Sequence, residues 1–406
     1  MRKFAILVLI LVAVAGVLAF YLKATTPTTS EGIRFPLNQA QRELLASAPA
    51  NAEAFALIPK AAVVRAKLIA NPVTHDPFLA WADTAPVPRS WMIGGADLVV
   101  WRAGKQTSYA IHLDPIRAAI VRLYLMMGSS VEAQVSTGSF LINAGAASPL
   151  GLARADELLK LASGFEQADV LIVQQGRGSS GFPPIARPAV TAIQIGKDDV
   201  NLISVAAGGG GAPPIKPETV RFPVNALVSA TFTEPPRVVG DLDRLFLTRV
   251  SHLLDNGGSL IIYDVNPGTL MPRPDGLIVA NNTPANQDLV SKIEEPVRVF
   301  GEIKSTPKTL LVAFDKDSMH RYEIENFVES HWATNDWAMR MDPKRVVPLV
   351  EKLGDSTGLR LAAPRIYRSI RDLRRWIGYL SAAQSLEAAH STDDSGEVLR
   401  VRIASK

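Results

Sequence analysis

Asp315, Asp317, His320, Glu323 and Glu325 form the densest titratable cluster in the sequence. Two chemistries would use such a set. One is hydrolysis by paired carboxylates, which needs two acids facing each other with separated pKa values. The other is cation binding. Asp315 and Asp317 resemble the start of a calcium loop, but His320 stands where the sharp-turn Gly belongs and no acid occupies the twelfth position. His320 and Glu323 have the i,i+3 spacing of two ligands on one helix, without a third. The same acids also suit a turn and helix cap after a strand over Leu310–Phe314.

Other candidate chemistry is thinner. Gly176-Arg177-Gly178-Ser179-Ser180-Gly181 follows a strand-like run, as a dinucleotide loop would. Phe182-Pro183-Pro184 then prevents a helix from opening at the last Gly, so the segment reads as a loop. His331-Trp332, Asn335, Asp336 and Trp337 place rings beside amide and carboxylate groups, a pattern that stacks on sugars and equally serves a core. G-x-S-x-G and H-E-x-x-H are both missing, and no S-x-x-K has supporting motifs. With no Cys there are no disulfides, thiol catalysis or Cys-ligated metal. No cofactor and no metal is expected.

Arg365–Leu380 is the sharpest physical pattern. Ile366, Ile370, Leu373, Ile377 and Leu380 repeat at helical spacing, and Pro364 suits the first turn. Arg365, Arg368, Arg371 and Arg375 fall on the opposite side, with Arg374 at the border. Such a helix docks its apolar stripe on a core and shows Arg to anionic headgroups or an acidic partner.

The elements around these residues follow from composition and punctuation. The chain has 406 residues, 47% hydrophobic and 20% charged, which suits two or three domains with real cores. The net charge is +4, and Arg2, Lys3 and Lys23 alone carry three positive charges, so no basic field for nucleic acid is expected. Between them runs Phe4 to Leu22, free of charge and roughly 28 Å long as a helix, close to a bilayer's hydrocarbon core. The positive start places the N-terminus in the cytoplasm and the remainder outside. Ala13-Val14-Ala15 offers a competing cleavage site, which also implies export.

Residues 1–23 thus read as anchor or signal segment and 24–33 as a polar stalk. An α+β lobe over 34–205, a Gly/Pro linker over 206–217 and a second lobe over 218–406 complete the chain. The halves share an order of elements. Asn51-Ala52 and Asn225-Ala226 precede strands. Gly94-Gly95 and Gly257-Gly258 precede Leu98–Trp101 and Leu260–Tyr263. Asp114-Pro115 and Thr283-Pro284 are caps followed by helices. Each half ends in a hairpin-like piece. The expected fold is antiparallel sheet in two similar lobes, with helices packed on one face and a transmembrane helix in front.

The anchor, the opening Ala48-Pro49-Ala50-Asn51-Ala52 before a strand and the tandem α+β region resemble uncharacterised bacterial families of membrane-anchored extracytoplasmic proteins with a domain of unknown function. That resemblance covers most of the chain and implies no activity and no site residue. The reading that follows is a single-pass protein of the inner (cytoplasmic) membrane, its bulk periplasmic or extracellular, acting as a non-catalytic binding or scaffolding module. Its partner would be an envelope protein, an anionic lipid or a glycan. The alternatives are an anchored envelope hydrolase using Asp315–Glu325, or a lipid-handling protein.

Overall fold

The chain is α+β, with extended antiparallel sheet and several helices. The computed structural model describes residue 24 and residues 32–84, 95–103, 106–126, 133–136, 139–142, 148–176, 187–208, 220–233, 252–266, 273–332, 336–362, 364–393 and 396–405. Phe4–Leu22, the Ala13-Val14-Ala15 site, most of the stalk and residues 209–217 of the linker lie outside the described residues. Among the described residues no helix is long and apolar enough to cross a membrane. Two units divide the chain. Unit 1 holds Met1–Lys197 and Leu202–Ala207, and unit 2 holds Asp198–Asn201 and Gly208–Lys406.

Unit 1 opens with β1 (Ile33–Arg34), α1 (Gln39–Ala46), β2 (Ala54–Ile58), α2 (Ala61–Ala70) and α3 (His75–Thr84). It continues with β3 (Leu98–Ala103), β4 (Gln106–His112), α4 (Pro115–Met126), β5 (Ala133–Ser136), β6 (Ser139–Ile142) and α5 (Leu152–Leu159). β7 (Gln167–Ala168), β8 (Val170–Gln174), β9 (Ala189–Ile195) and β10 (Asp199–Ala207, in this unit from Leu202) complete it. The sheet order is β10-β9-β8-β2-β3-β4-β6-β5, and β1 pairs with β7 as a separate ribbon.

Unit 2 opens with β11 (Arg221–Pro223), β12 (Val228–Phe232), β13 (Gly258–Asn266), β14 (Arg273–Asn281) and α6 (Pro284–Phe300). Next come β15 (Glu302–Ser305), β16 (Thr309–Ala313), α7 (Lys316–Glu323), β17 (Phe327–Glu329) and β18 (Trp337–Met341). Three helices follow, α8 (Pro343–Gly354), α9 (Thr357–Ala362) and α10 (Pro364–Ile377), before the hairpin of β19 (Ser385–Asp393) and β20 (Gly396–Ala404). The order β20-β19-β18-β12-β13-β14-β16-β15, with a β11–β17 ribbon, repeats the layout of unit 1 strand for strand.

Local chemistry explains the matching helices. Asp114 Oδ1 accepts from Arg117 N (2.9 Å) at the start of α4, and Thr283 Oγ1 accepts from Asn286 N (3.2 Å) at the start of α6. Each cap is followed by Pro, which loses no bond at the first helical position. Ile111 and Ala280 each stand three residues before their cap. Across the hairpin, Ile111 faces Leu98 and Ala280 faces Gly258. Leu98 therefore corresponds to Gly258, two residues before the Leu260 match suggested by the Gly pairs. The shift of two keeps every side chain on its face. Gly258 has φ 146°, and a Cβ there would stand 2.4 Å from Val279 O, so only Gly fits.

The expectation of helices on one face is corrected by unit 2. Ile278, Leu310 and Val312 are buried with Ile293 and Val297 of α6. Leu277, Leu311 and Ala313 point the other way and are buried with Met319 of α7. α8 covers more of the α6 face, where Val346, Val347 and Val350 meet Val228 and Ile262. The β11–β17 ribbon covers more of the α7 face, where Val220 and Phe222 meet Ala338 and Ala389. A strand covered on both sides needs apolar residues at successive positions, which is how Leu277-Ile278 and Leu310-Leu311-Val312 read.

The two caps generate a comparison. Thr283→Ala should cost about 1 kcal/mol of unfolding free energy by denaturant titration. Asp114→Ala should cost more, about 2 kcal/mol or above. Asp114 also pairs with Arg117, which is only 2% exposed. Equal losses would contradict this account of Asp114.

Candidate functional site

α10 is held on its apolar side. Ile377 is 2% exposed and packs with α8, and Ile370 joins the Leu353–Leu359 cluster. Leu373 departs from the expected stripe, since 46% of it is exposed. α8 ends at Gly354, and a chain that turns through α9 covers Ile370 without reaching over Leu373. Arg368 and Arg371 are exposed, and Arg368 Nε donates to Pro364 O (3.4 Å). The side chains of Arg365 and Arg375 lie outside the described residues. Arg374 Nη1 donates to Asp355 Oδ1 (2.7 Å), which ties the helix back to the end of α8.

The Asp315–Glu325 cluster does not converge. Asp315 caps α7, where Oδ1 accepts from Ser318 N (2.8 Å) and Oδ2 accepts from Gly276 N (3.0 Å). Glu323 turns to Lys304 Nζ on β15, and that bond holds its carboxyl below the usual range while raising Lys304. Glu325 Oε1 accepts from Asn225 Nδ2 (2.9 Å). Asp317 and His320 are exposed. Two acids facing each other across a cleft are therefore not formed by this set. No group of three or more His, Asp or Glu suited to a metal occurs among the described residues. Nearby, burial raises the Asp275 carboxyl, and the like charges of Asp315 and Asp264 raise it further.

His331, Trp332, Asp336 and Trp337 are committed to the sheet. The Trp337 ring lies parallel to His390, 5.9 Å between centroids and 6° between planes, and Trp332 packs beside the β11–β17 ribbon. Asn335 lies outside the described residues. Asp336 Oδ2 accepts from His390 Nδ1 (2.7 Å) and Thr392 Oγ1 (3.1 Å). Unit 1 has its counterpart in Asp169, also one residue before its strand. Asp169 Oδ2 accepts from Ile195 N (2.7 Å), and Oδ1 accepts from Lys67 Nζ (2.6 Å).

A second knot of charge escaped the sequence reading. Glu387 on β19 stands between Arg340 of β18 and Arg402 of β20 in register. Its side chain is 4% exposed, and it accepts from Arg340 Nη1 (3.1 Å) and His331 Nδ1 (2.7 Å). Arg402 contacts His331 Nε2 through Nη1 and donates through Nε to Asp199 Oδ2 (3.0 Å). A carboxylate on Nδ1 orients an imidazole for proton transfer at Nε2. Here Nε2 faces a guanidinium, which can neither accept a proton nor give one up at neutral pH. The arrangement joins β18, β19, β20, the start of β10 and a loop. A single charged residue among apolar ones in Ser385–Ala389 was the available signal.

No protein-family model, curated protein or solved structure matches the chain.

The raised carboxyl of Asp275 sets a pH test. An acid raised in the folded state destabilises that state as its anion. The penalty is absent below the unfolded value of about 3.9 and grows as pH rises through the folded value. Asp275→Asn should raise the calorimetric melting temperature at neutral pH and leave it unchanged near pH 3. A lower melting temperature at neutral pH would show that the anion is stabilising.

Proposed function

We propose that the protein is a single-pass, membrane-anchored extracytoplasmic binding module of the bacterial envelope. Phe4–Leu22 holds it in the inner membrane with the N-terminus inside, and α10 engages anionic headgroups. The observation that carries this reading is the state of the charges. Asp315, Glu323, Glu387 and Asp336 are engaged in bonds that hold elements together. Arg368 and Arg371 stand exposed on a helix that is itself firmly docked. Pro364–Ile377 carries five Arg against one Asp. Leu361, Leu373 and Tyr379, exposed by 75%, 46% and 47%, add apolar surface near that helix. A cationic helix with apolar flanks is what an anionic bilayer surface attracts.

The test uses a chain beginning at Ala24, so that the leading apolar run does not itself bind lipid. It should co-sediment with phosphatidylglycerol vesicles at low salt and release as salt rises. Each Arg near such a surface contributes about 1 kcal/mol, so the pair Arg368→Glu and Arg371→Glu should weaken binding at least about tenfold. Equal sedimentation of both chains would remove α10 as the contact.

A further inference from the structure

Unit 2 holds a cleft of about 330 Å³ that none of the groups above accounts for. It lies between α7, the turn after it, the chain before β12 and the first turn of α8. Tyr263, Arg321, Ile324, Glu325, Asn225 and Arg345 line it. Some of these build the walls. Arg345 Nη1 donates to Asn225 O (2.8 Å) and its Nη2 to Tyr263 O, which locks that guanidinium between two main-chain segments. Asn225 Nδ2 and Asn326 N (3.1 Å) both donate to one oxygen of Glu325, Oε1.

Two charged groups at the same cleft have no such engagement, and the hydroxyl of Tyr263, which lines it, is buried. The other Glu325 oxygen, Oε2, receives no hydrogen bond among the described residues. The Arg321 guanidinium lies over the Tyr263 ring, 5.9 Å from its centroid, and forms no ion pair among the described residues. Tyr263 is 2% exposed, and its Oη has no hydrogen-bond partner among the described residues. A buried hydroxyl left unbonded costs about 1–3 kcal/mol, so such groups are rare in a settled core. Burial raises the Tyr263 hydroxyl, Glu325 raises it further and Arg321 opposes them, which puts all three groups within each other's field. The rim is apolar. Ile324 is 68% exposed, with Val224 (46%) and Phe327 (41%) beside the same turn.

We propose that this cleft binds a free α-amino acid with an aliphatic side chain, its carboxylate on Arg321, its ammonium on Glu325 and its side chain against Ile324. The Tyr263 ring is the floor. A guanidinium in the last turn of α7 and a carboxylate two residues past its end put opposite charges at one cleft, and these match the two opposite charges that an amino acid carries on one carbon. A neutral sugar would leave the Arg321 charge unanswered, and a simple anion would meet repulsion from Glu325. The site stands apart from the headgroup reading, since it involves neither α10 nor a bilayer surface.

The test is calorimetric titration of the full chain in non-ionic detergent micelles with three probes. These are L-leucine, 4-methylpentanoate, which lacks the ammonium, and isoamylamine, which lacks the carboxylate. Leucine should bind, and each one-charge analogue should bind at least about tenfold more weakly, as loss of a charged hydrogen bond implies. Arg321→Ala and Glu325→Gln should each weaken leucine at least about tenfold while keeping the parent melting temperature, because Arg321 is exposed and the amide oxygen of Gln can still accept the two bonds that Glu325 Oε1 accepts. Absence of leucine heat up to about 20 mM would overturn the proposal. So would leucine binding that both variants retain in full, or 4-methylpentanoate binding as tightly as leucine.

Discussion

A sheet covered on both faces gives the covered stretches of its strands no side that looks at water, and that constraint shapes the rest of unit 2. Every charge on such a strand has to be answered by another charge or donor within reach. Glu387 is the severest case. It is met from β18 by Arg340 and from the loop after β17 by His331, and Arg402 of β20 faces it in register. Asp169 and Asp336 answer the same problem at the entry to β8 and β18, each by bonding to the neighbouring strand. Groups tied up in this way have little freedom to meet a ligand. The proposed recognition therefore uses what lies at the margins, the outer face of α10 and the cleft beside α7.

The two units show one layout solving its local problems with different residues. The third position of α4 carries Arg117 and that of α6 carries Asn286, and both side chains are buried. Arg117 pairs with its own cap residue, whereas Asn286 donates to Leu253 O and Asn281 O. Asp169 takes a lysine from α2, and Asp336 takes a histidine from β19. The largest difference lies between the eighth and ninth strands. Unit 2 inserts α8, α9 and α10 there, and the exposed Arg face comes with them. What separates the units is thus also what gives unit 2 its surface chemistry.

Features decided by neighbours in sequence were legible. Asp114-Pro115 and Thr283-Pro284 announce helices because a cap needs only the next three residues. The Asp315 cap was readable beside its metal alternative for the same reason. Features decided at a distance were not. Glu387 lies 47 residues from Arg340 and 56 from His331, and no spacing rule connects them. The Gly pairs misplaced the second strand by two residues, because Gly258 is required by its own backbone angle and not by a shared turn. Coverage of both faces was written in the continuous apolar runs, but a short run fits a one-sided strand with a few apolar residues exposed equally well. α6 also continues past Ile293 to Phe300, through a Pro that sequence rules take as a stop.

The claim beneath all of this is that the buried charges of unit 2 hold the fold together. Equilibrium urea unfolding of Glu387→Ala tests it most directly. Removing that carboxylate leaves Arg340 and His331 without their shared acceptor, and the account predicts a loss of about 2–3 kcal/mol with an unchanged slope. A variant that unfolds at the parent midpoint would contradict it, and would return Glu387 and His331 to the list of groups available for chemistry.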